Sequence, residues 1–499
     1  MIEGNYIYID KTKEVLDLIN NYKYVFLSRP RRFGKSLFLD TLKEAFEGNK
    51  DLFKGLYIYD KYDFPKHPVI KISWAGDLKS LQSTKNWALL QLRFAQEKLN
   101  ITCEENKDPS TCFGELIQKT YQKHGQKVVV LIDEYDKPIL DNLEKENLEV
   151  AKENREFLRG FYSVIKDSDA YIRFAFLTGV SRFSRVSIFS GLNNLVDISL
   201  NPKYAYICGF THQNLQNEFK EYLQGVDLEE VRKWYNGYNF LGKEKLYNPF
   251  DILLFIDSGY VFDNYWFKTG TPSFLIKLLK DRGYNVLQFE NLEVGSSILD
   301  SFDIDRLEVE TIMFQAGYLT IKEVIEEFGD RIFVLTFPNF EVKKSFNDYL
   351  LDYLTVSETD KVRLKTTLRR VLIKAQLDKL KDVLTSLYAS VPYHLFVRKE
   401  IRGNENYYAV VLYMYLAGAG IDVYVEDTTD RGRADLTAIV IDKVYIFEIK
   451  MEGEGDPIDQ IKEKRYYEKY LNYPQIYAVG IIIDKQNKTV KDVVWEKVK

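Results

Sequence analysis

The chain has 499 residues, 45% hydrophobic and 29% charged, which predicts a globular protein of two or three domains and excludes a disordered one. Its net charge of −5 argues against a globally basic nucleic-acid binder but allows a local basic groove, because 69 Lys and Arg stand beside 74 Asp and Glu. Three cysteines and four histidines favour neither a disulfide framework nor a structural zinc site. Because we identify no signal peptide and no apolar run of about 20 residues, we expect a cytoplasmic protein.

The first chemically informative stretch lies where a predicted strand, Val25 to Leu27, passes into a predicted helix that carries apolar residues at helical spacing. Gly34-Lys35-Ser36 falls at the start of that helix, where unpaired backbone N–H groups attract phosphate. The lysine can reach the terminal phosphates, and the serine hydroxyl can bind Mg²⁺. The usual phosphate loop has a second glycine five residues earlier, where this chain has Arg29, so Gly-Lys-Ser alone is equally compatible with an ordinary turn.

A continuous apolar run from Lys127 to Ile132 ends in two carboxylates, Asp133 and Glu134, as a buried parallel strand would. Ligands of open α/β sheets bind at the carboxyl ends of such strands. We therefore predict Asp133 beside Mg²⁺ and Glu134 within reach of an attacking water, with Asp136 as the alternative.

A third predicted strand, Arg173 to Arg182, includes Thr178 as a polar group that could sense the γ-phosphate. Arg182 and Arg185 are candidates for stabilising charge on the phosphates. Simple pairing with nearby acidic residues is the alternative, and it suits Arg185 better than Arg182.

The pattern of elements predicts three domains. Residues 1–205 alternate strands and helices as a parallel α/β domain does, with helices at Trp87–Leu99 and Asn154–Lys166 and a last strand at Phe189–Ile198. Residues 206–377 are mostly helical and are interpreted as a lid and connector. They contain aromatic clusters at 234–238 and 247–250. Aromatic residues at such junctions more often pack in a hydrophobic core than form a base-stacking surface. Residues 378–499 return to α/β, with a helix predicted from Pro457 to Leu471.

Two strand-like runs in this last region predict a hairpin that turns about the Ile441–Asp442 bond. Its pairing places Asp435 opposite Glu448, and strand alternation puts Lys450 on the face of Glu448. Two such carboxylates suit Mg²⁺, with Mn²⁺ as a second candidate, and the ammonium can orient water and stabilise a phosphate. A surface hairpin with an ordinary salt bridge would show the same isolated pattern.

Further polar residues flank the hairpin. Glu405 starts the preceding predicted helix, and Gln460 and Lys464 share one face of the following helix, at positions i and i+4. We expect these three to support the same site.

Five segments together resemble the AAA-ATPase-like family of prokaryotic proteins: Tyr8-Ile9-Asp10-Lys11-Thr12, Arg29-Pro30-Arg31-Arg32-Phe33-Gly34-Lys35-Ser36, Asp133-Glu134-Tyr135-Asp136, Trp234-Tyr235-Asn236-Gly237-Tyr238 and Tyr247-Asn248-Pro249. In that family the phosphate loop carries arginine where this chain has Arg29. The resemblance covers roughly the first half of the chain. It implies ATP binding, with Lys35, Ser36, Asp133 and Glu134 as phosphate, Mg²⁺ and water ligands. The predicted nucleotide site also includes Arg31, Arg32, Phe33, Gly34, Leu37, Thr178 and Arg182.

The C-terminal set of residues resembles the PD-(D/E)XK nuclease domain that follows the ATPase-like domain in this family. The resemblance implies metal binding by Asp435, Glu448 and Ile449, catalysis with Lys450, and support from Glu405, Gln460 and Lys464. One departure is Ala434, where the superfamily frequently has proline before the first acid.

The predicted fold class is α/β, with an N-terminal P-loop ATPase sheet, a mostly helical middle and a small restriction-endonuclease-like domain. The favoured hypothesis is an ATP-dependent or ATP-gated nuclease that uses Mg²⁺ on DNA or RNA, without a membrane partner and compatible with oligomers. The alternative is a nucleotide-switched protein in which the nuclease fold is a docking module, for instance in toxin, defence or mobile-element regulation.

Overall fold

A computed structural model of the chain describes residues 4, 6–104, 107–182, 188–189, 192–269, 273–282, 284–300, 304–354, 358–391, 405–429 and 432–499. The chain divides into two compact units, each assembled from two stretches: Met1–Trp266 with Glu293–Pro338, and Phe267–Leu292 with Asn339–Lys499. The boundaries of the three predicted domains stay a prediction.

The α-helices, in chain order, are α1 Thr12–Asn21, α2 Lys35–Phe46, α3 Leu81–Leu99, α4 Pro109–His124, α5 Lys137–Leu140, α6 Leu148–Asp167, α7 His212–Asn217, α8 Leu228–Tyr235, α9 Pro249–Asp257, α10 Ser273–Arg282, α11 Ser296–Asp300, α12 Val309–Ala316, α13 Phe340–Leu354, α14 Glu358–Ile373, α15 Leu380–Ser390, α16 Glu405–Gly418 and α17 Pro457–Glu463. The strands are β1 Tyr24–Ser28, β2 Val69–Ser73, β3 Val128–Asp133, β4 Ile172–Gly179, β5 Val196–Asp197, β6 Asn236–Tyr238, β7 Leu246–Tyr247, β8 Leu292–Gly295, β9 Thr320–Glu327, β10 Asp330–Thr336, β11 Asp422–Thr429, β12 Gly432–Val440, β13 Lys443–Met451, β14 Gln475–Ile483 and β15 Val490–Lys497.

The first unit contains a five-stranded sheet in the order β2-β3-β4-β1-β5. All of its pairings are parallel, which confirms the predicted fold class. Strands β1 and β3 are buried along their whole length because helices cover both faces of such a sheet, and this explains their continuous apolar sequences. Of the strand predicted at residues 189–198, the described residues 189 and 192–198 form a strand at Val196–Asp197 alone, and 190–191 lie outside the described residues.

The middle of the chain is mainly helical, as predicted. It also contains a two-stranded sheet, β6-β7, and a three-stranded sheet in the order β8-β10-β9. No helix among the described residues is both long and apolar enough to cross a membrane.

The second unit contains a five-stranded sheet in the order β11-β12-β13-β14-β15. The predicted hairpin is present as β12 and β13, and Leu436 lies opposite Phe447 while Val440 lies opposite Lys443. This register makes Asp435 and Glu448 the next facing positions. Strand β14 runs parallel to β13, and helix α17 forms the crossover between them. The helix ends at Glu463, eight residues before the predicted end at Leu471.

Gly237 lies in one of the aromatic junctions, with a φ of +152°, where side chains are rarely tolerated. A Cβ atom there would lie 1.6 Å from the carbonyl oxygen of Pro338. We therefore predict that Gly237→Ala lowers the free energy of unfolding by roughly 3 kcal/mol or more, through strain and displacement of the neighbouring backbone.

The matched control is Gly160→Ala in α6, where a Cβ meets no atom within 4 Å. Alanine favours a helix by about 1 kcal/mol over glycine, so this control should be neutral or stabilising in urea unfolding. Equal unfolding midpoints for the two variants would contradict the close contact with Pro338.

Candidate functional site

The loop between β1 and α2 has the backbone geometry of an anion site. Gly34 adopts a φ of +91° at the N-terminus of α2, whose first N–H groups lack helical partners. Lys35 is buried, and its ammonium donates to the carbonyl oxygens of Arg29 and Pro30 at 2.9 Å. Burial lowers the pKa of Lys35, and the nearby Asp136 and Asp133 oppose this shift. The Lys35 ammonium thus feels the charges of the acids at the end of β3 and just after it.

Arg29, which replaces the usual glycine, is a structural residue in this loop. Its side chain is only 1% exposed, and its guanidinium donates to the carbonyls of Ser28, Ser199 and Tyr204 at 2.7 to 3.0 Å. The guanidinium also lies 4.0 Å from the centre of the Phe240 ring. Arg29 therefore ties the start of the loop to the chain that follows β5.

The aromatic junctions hold the rest of the loop. The carbonyl of Arg31 accepts hydrogen bonds from Asn248 at 3.3 Å and from the Trp266 indole at 3.2 Å. The Phe33 ring is buried against Tyr238 at a centroid distance of 4.9 Å. These contacts confirm a packing role for the clusters at 234–238 and 247–250, whereas Trp266 had no sequence signal beyond its residue type.

Other loop residues lie closer to solvent. The guanidinium of Arg32 stands 5.1 Å from the centre of the Phe250 ring. Arg31, Ser36 and Leu37 are exposed. The Ser36 hydroxyl makes no hydrogen bond with any described residue, so it is accessible to a ligand of the loop. Nucleotide and metal contacts for these residues stay predictions.

The acids after β3 have different surroundings. Asp133 is buried at the end of the strand, and its carboxylate accepts a hydrogen bond from the backbone N–H of Glu134 at 3.0 Å. Glu134 is half-buried with a φ of +54°, and burial, then the charge of Asp133, raises its pKa. Lys35 opposes this rise, which places its ammonium near both acids.

Asp136 binds the end of β4. Its carboxylate accepts hydrogen bonds from the backbone N–H groups of Val180, at 3.0 Å, and Ser181. Burial raises the pKa of Asp136 to about 6. Because these contacts occupy one of its oxygens, Glu134 is the more accessible candidate for binding the attacking water.

Two residues of the third strand region are bonded within the protein. Buried Thr178 donates its hydroxyl proton to the Leu27 carbonyl at 2.9 Å. Arg182 binds the Asp197 carboxylate at 2.8 Å and the Leu299 carbonyl at 2.8 Å, which is the acid pairing considered as the alternative. Their roles toward a phosphate stay predictions, and Arg185 lies outside the described residues.

The C-terminal acids converge as the hairpin register requires. Asp435 accepts a hydrogen bond from the backbone N–H of Ile449 at 2.8 Å. Glu448 is only 2% exposed, and its Oε1 atom accepts from the Lys450 ammonium at 3.1 Å and from the Gln460 amide. Its Oε2 atom is buried without a hydrogen-bond partner among the described residues. Burial, then Asp435, raises the pKa of Glu448 to about 7, and burial also raises the pKa of Asp435.

The flanking residues meet the site to different degrees. Glu405 lies 3.7 Å from the Lys450 ammonium, and burial raises its pKa. Gln460 also donates to the Tyr466 hydroxyl at 3.4 Å. Lys464 is exposed after α17 and makes no ion pair or side-chain hydrogen bond within the described ranges. Sequence analysis missed Tyr466, and it missed Glu454, a neighbouring carboxylate that raises the pKa of Glu405 further.

The oxygen of Glu448 that lacks a partner among the described residues indicates whether Asp435 and Glu448 suit a metal ion. No group of three or more His, Cys, Asp or Glu within the described part of the chain forms a ready metal-binding cluster. However, an unpartnered buried carboxylate oxygen next to a second carboxylate suits a hard divalent cation, which prefers oxygen ligands. Asp435 and Glu448 therefore fit such a cation, and a role of Ile449 as a ligand stays a prediction.

Comparisons with known proteins match the two regions of the chain that contain these residues. A family model described as predicted AAA-ATPase matches residues 1–189, and a PD-(D/E)XK nuclease superfamily model matches residues 403–493. A relative from Azotobacter chroococcum mcd 1, described as an uncharacterized protein in the vnfD 5' region, is 42% identical over 501 residues, which cover 99% of this chain and 96% of the relative. No solved structure matches the chain.

The raised pKa of Glu448 predicts a pH-dependent stability. In the folded protein the Glu448 carboxyl stays protonated up to about pH 7, whereas an ordinary glutamate has a pKa of 4.5. The contribution of Glu448 to the free energy of unfolding therefore falls as pH rises from 4.5 to 7. Glu448→Gln carries an amide that does not ionise, so the variant should avoid this loss of stability, which is up to about 3 kcal/mol. In metal-free buffer, the melting temperature of the variant relative to wild type should therefore be higher at pH 8 than at pH 5. A pH-independent difference would contradict the buried carboxylate.

Proposed function

Because the chain belongs to the AAA-ATPase-like family and ends in a PD-(D/E)XK nuclease superfamily domain, we propose that it binds and hydrolyses ATP and cleaves nucleic-acid phosphodiesters with a divalent metal. The observation that carries the nuclease half is Glu448, a buried carboxylate opposite Asp435. One of its oxygens bonds Lys450, and the other has no partner among the residues described above. DNA or RNA is the proposed substrate, and nucleotide binding is proposed to regulate cleavage.

The nucleotide half rests on the loop that ends at Gly34. The N-terminal N–H groups of α2 and the Lys35 ammonium would bind the phosphates, with the exposed Ser36 hydroxyl and Asp133 as Mg²⁺ ligands. A nucleotide phosphate would draw the ammonium from the two loop carbonyls that it now bonds. Glu134 would accept the proton of the attacking water, because burial raises its pKa and a carboxylate with a raised pKa holds a transferred proton more readily.

The nuclease half combines three side chains with distinct tasks. Asp435 and Glu448 would hold Mg²⁺ or Mn²⁺, which when bound supplies an acidified water and neutralises phosphate charge. Lys450, on the same strand face as Glu448, would orient the water and stabilise the developing charge on the phosphate. Gln460 fixes the Glu448 carboxylate through its amide, and so keeps the second oxygen directed toward the metal site.

A pair of variants separates nucleotide binding from hydrolysis. Lys35→Ala should lose ATP affinity by at least about 100-fold, because it removes the charge-assisted contact to the phosphates. Glu134→Gln should keep the affinity and lose about 100-fold or more in turnover, since the amide has the same shape but accepts no proton from water. Calorimetric titration with ATP and a phosphate-release assay measure the two quantities. Normal ATP affinity in Lys35→Ala would refute the phosphate-loop assignment, and normal turnover in Glu134→Gln would move the base to Asp136.

The nuclease half is tested by variants of the full chain. Asp435→Ala and Glu448→Ala should each abolish Mg²⁺-dependent cleavage of plasmid, single-stranded DNA and RNA, because each removes a charged metal ligand. ATP turnover should stay measurable in both variants, since the phosphate loop lies in the other unit. Lys450→Ala should cut poorly but still bind Mn²⁺.

Asp442→Ala is the matched control, because Asp442 lies in the turn of the same hairpin and pairs only with Lys443 among the described residues. It should cleave at the wild-type rate. If the wild type cuts none of these substrates and binds no Mn²⁺, the nuclease half fails. The nucleotide-switched docking module then takes its place, with Lys450 and Gln460 as permanent partners of Glu448.

A further inference from the structure

Two of the three cysteines lie next to each other in the first unit, and they have no role in the chemistry above. Cys103 follows α3, and Cys112 lies near the start of α4. The Cys103 thiol donates to the Cys112 carbonyl at 3.2 Å, and both side chains are buried. All three cysteines are thiols in the structure. The fold therefore brings two reduced sulfur atoms to one place.

One glutamine side chain connects the two cysteines. The Gln96 amide donates to the Cys112 sulfur at 3.6 Å, and its oxygen accepts from the backbone N–H of Cys103 at 2.7 Å. Gln96 lies in the last turn of α3, which ends at Leu99. A bond between the two sulfurs would therefore fasten the end of α3 to the start of α4.

The surroundings of Cys103 favour its thiolate. The side chain of Cys112 is the main cause that lowers the pKa of the Cys103 thiol. Lys119 lowers this pKa further, whereas burial and Glu115 oppose the shift. The Lys119 ammonium donates to the carbonyl of Thr102, one residue before Cys103, at 3.1 Å. Because the thiolate is the form of cysteine that reacts with peroxides, Cys103 is the sulfur more inclined to react first.

Cys103 lies directly beneath the surface of the first unit. Its neighbours Thr102 and Glu104 are exposed, whereas Cys103 is 1% exposed and Cys112 is fully buried. Hydrogen peroxide is hardly larger than water, so it reaches a sulfur that such a cover protects from larger thiol reagents. Cys208 provides an internal reference, because it is also buried and burial raises its pKa.

We propose that Cys103 and Cys112 form a reversible disulfide when the chain meets hydrogen peroxide. The observations that carry this proposal are the thiol of one cysteine on the carbonyl of the other and the shared contacts of both with Gln96. The site is independent of the phosphate loop and of the nuclease residues, so it goes beyond both proposed activities.

The reaction has two steps. The Cys103 thiolate attacks one oxygen of the peroxide, the O–O bond breaks, and the leaving hydroxide takes the Cys103 thiol proton and becomes water. The Cys112 sulfur then attacks the sulfur of the Cys103 sulfenic acid, so that the S–S bond forms and the S–O bond breaks. The second hydroxide leaves as water with the Cys112 thiol proton. The two thiols together lose two electrons, and one peroxide is reduced to two waters.

The first test maps the disulfide in the full chain. The reduced protein is treated with hydrogen peroxide, its remaining thiols are alkylated, and it is digested with trypsin without reductant. Because trypsin cleaves after Lys98, Lys107 and Lys119, the two cysteines fall in separate peptides. Mass spectrometry should find these peptides joined, with the loss of two hydrogen atoms, and Cys208 alkylated. Dithiothreitol added before alkylation should restore all three thiols.

The second test uses variants to establish the order of the steps. Cys112→Ser should stop at the sulfenic acid of Cys103, which dimedone traps, whereas Cys103→Ser should give no dimedone adduct at Cys112. Cys208→Ser is the matched control and should form the joined peptides as wild type does.

The opposite results would overturn the proposal. If both cysteines of the folded wild type stay alkylated after peroxide treatment, or if the joined peptides appear only when the chain is unfolded in urea, the pair is not a disulfide site. A disulfide that forms in wild type together with a dimedone adduct at Cys112 in Cys103→Ser would overturn the assignment of Cys103 as the attacking sulfur.

Discussion

The shape of the phosphate loop is the constraint on which the first unit depends. A loop with a glycine only at Gly34 cannot rely on backbone freedom at its start, so other parts of the chain must fix its course. Buried Arg29 bonds the carbonyls beyond β5, the carbonyl of Arg31 is held by Asn248 and Trp266, and Phe33 fills an aromatic pocket. The aromatic junctions after residue 230 are thus structural parts of the loop.

Burial of charge is the common physical feature of the two sites. Asp136 and Glu448 both lie out of water, and burial raises the pKa of each. They differ in how their oxygens are used. Asp136 accepts two backbone N–H groups and so joins the ends of β3 and β4, whereas one oxygen of Glu448, next to Asp435, has no partner in the part of the chain that the structure describes. An unpaired buried carboxylate oxygen costs free energy, and a bound cation would remove that cost.

Much of the architecture could be predicted because it follows from short-range rules. Apolar runs without alternation predicted the buried parallel strands, and the two runs around Ile441 predicted the hairpin whose register brings Asp435 opposite Glu448. The errors lie where tertiary context decides. Within the described part of 189–198 the predicted strand forms at Val196–Asp197 alone, where it pairs with β1, and α17 ends at Glu463 although helix-forming residues continue.

The sequence by itself determined which residue types stand at the strand ends, and hence that a lysine, two acids after β3 and a hairpin of two carboxylates could form two sites. Only the tertiary structure decided what those side chains contact. In the structure Arg182 forms an ion pair with Asp197, and the Thr178 hydroxyl donates a hydrogen bond to the Leu27 carbonyl. The physical reason is that periodicity and backbone geometry act within a few residues. Hydrogen-bond partners and the burial that shifts a pKa come from segments farther along the chain, 15 positions away between Arg182 and Asp197 and 175 between Arg29 and Tyr204.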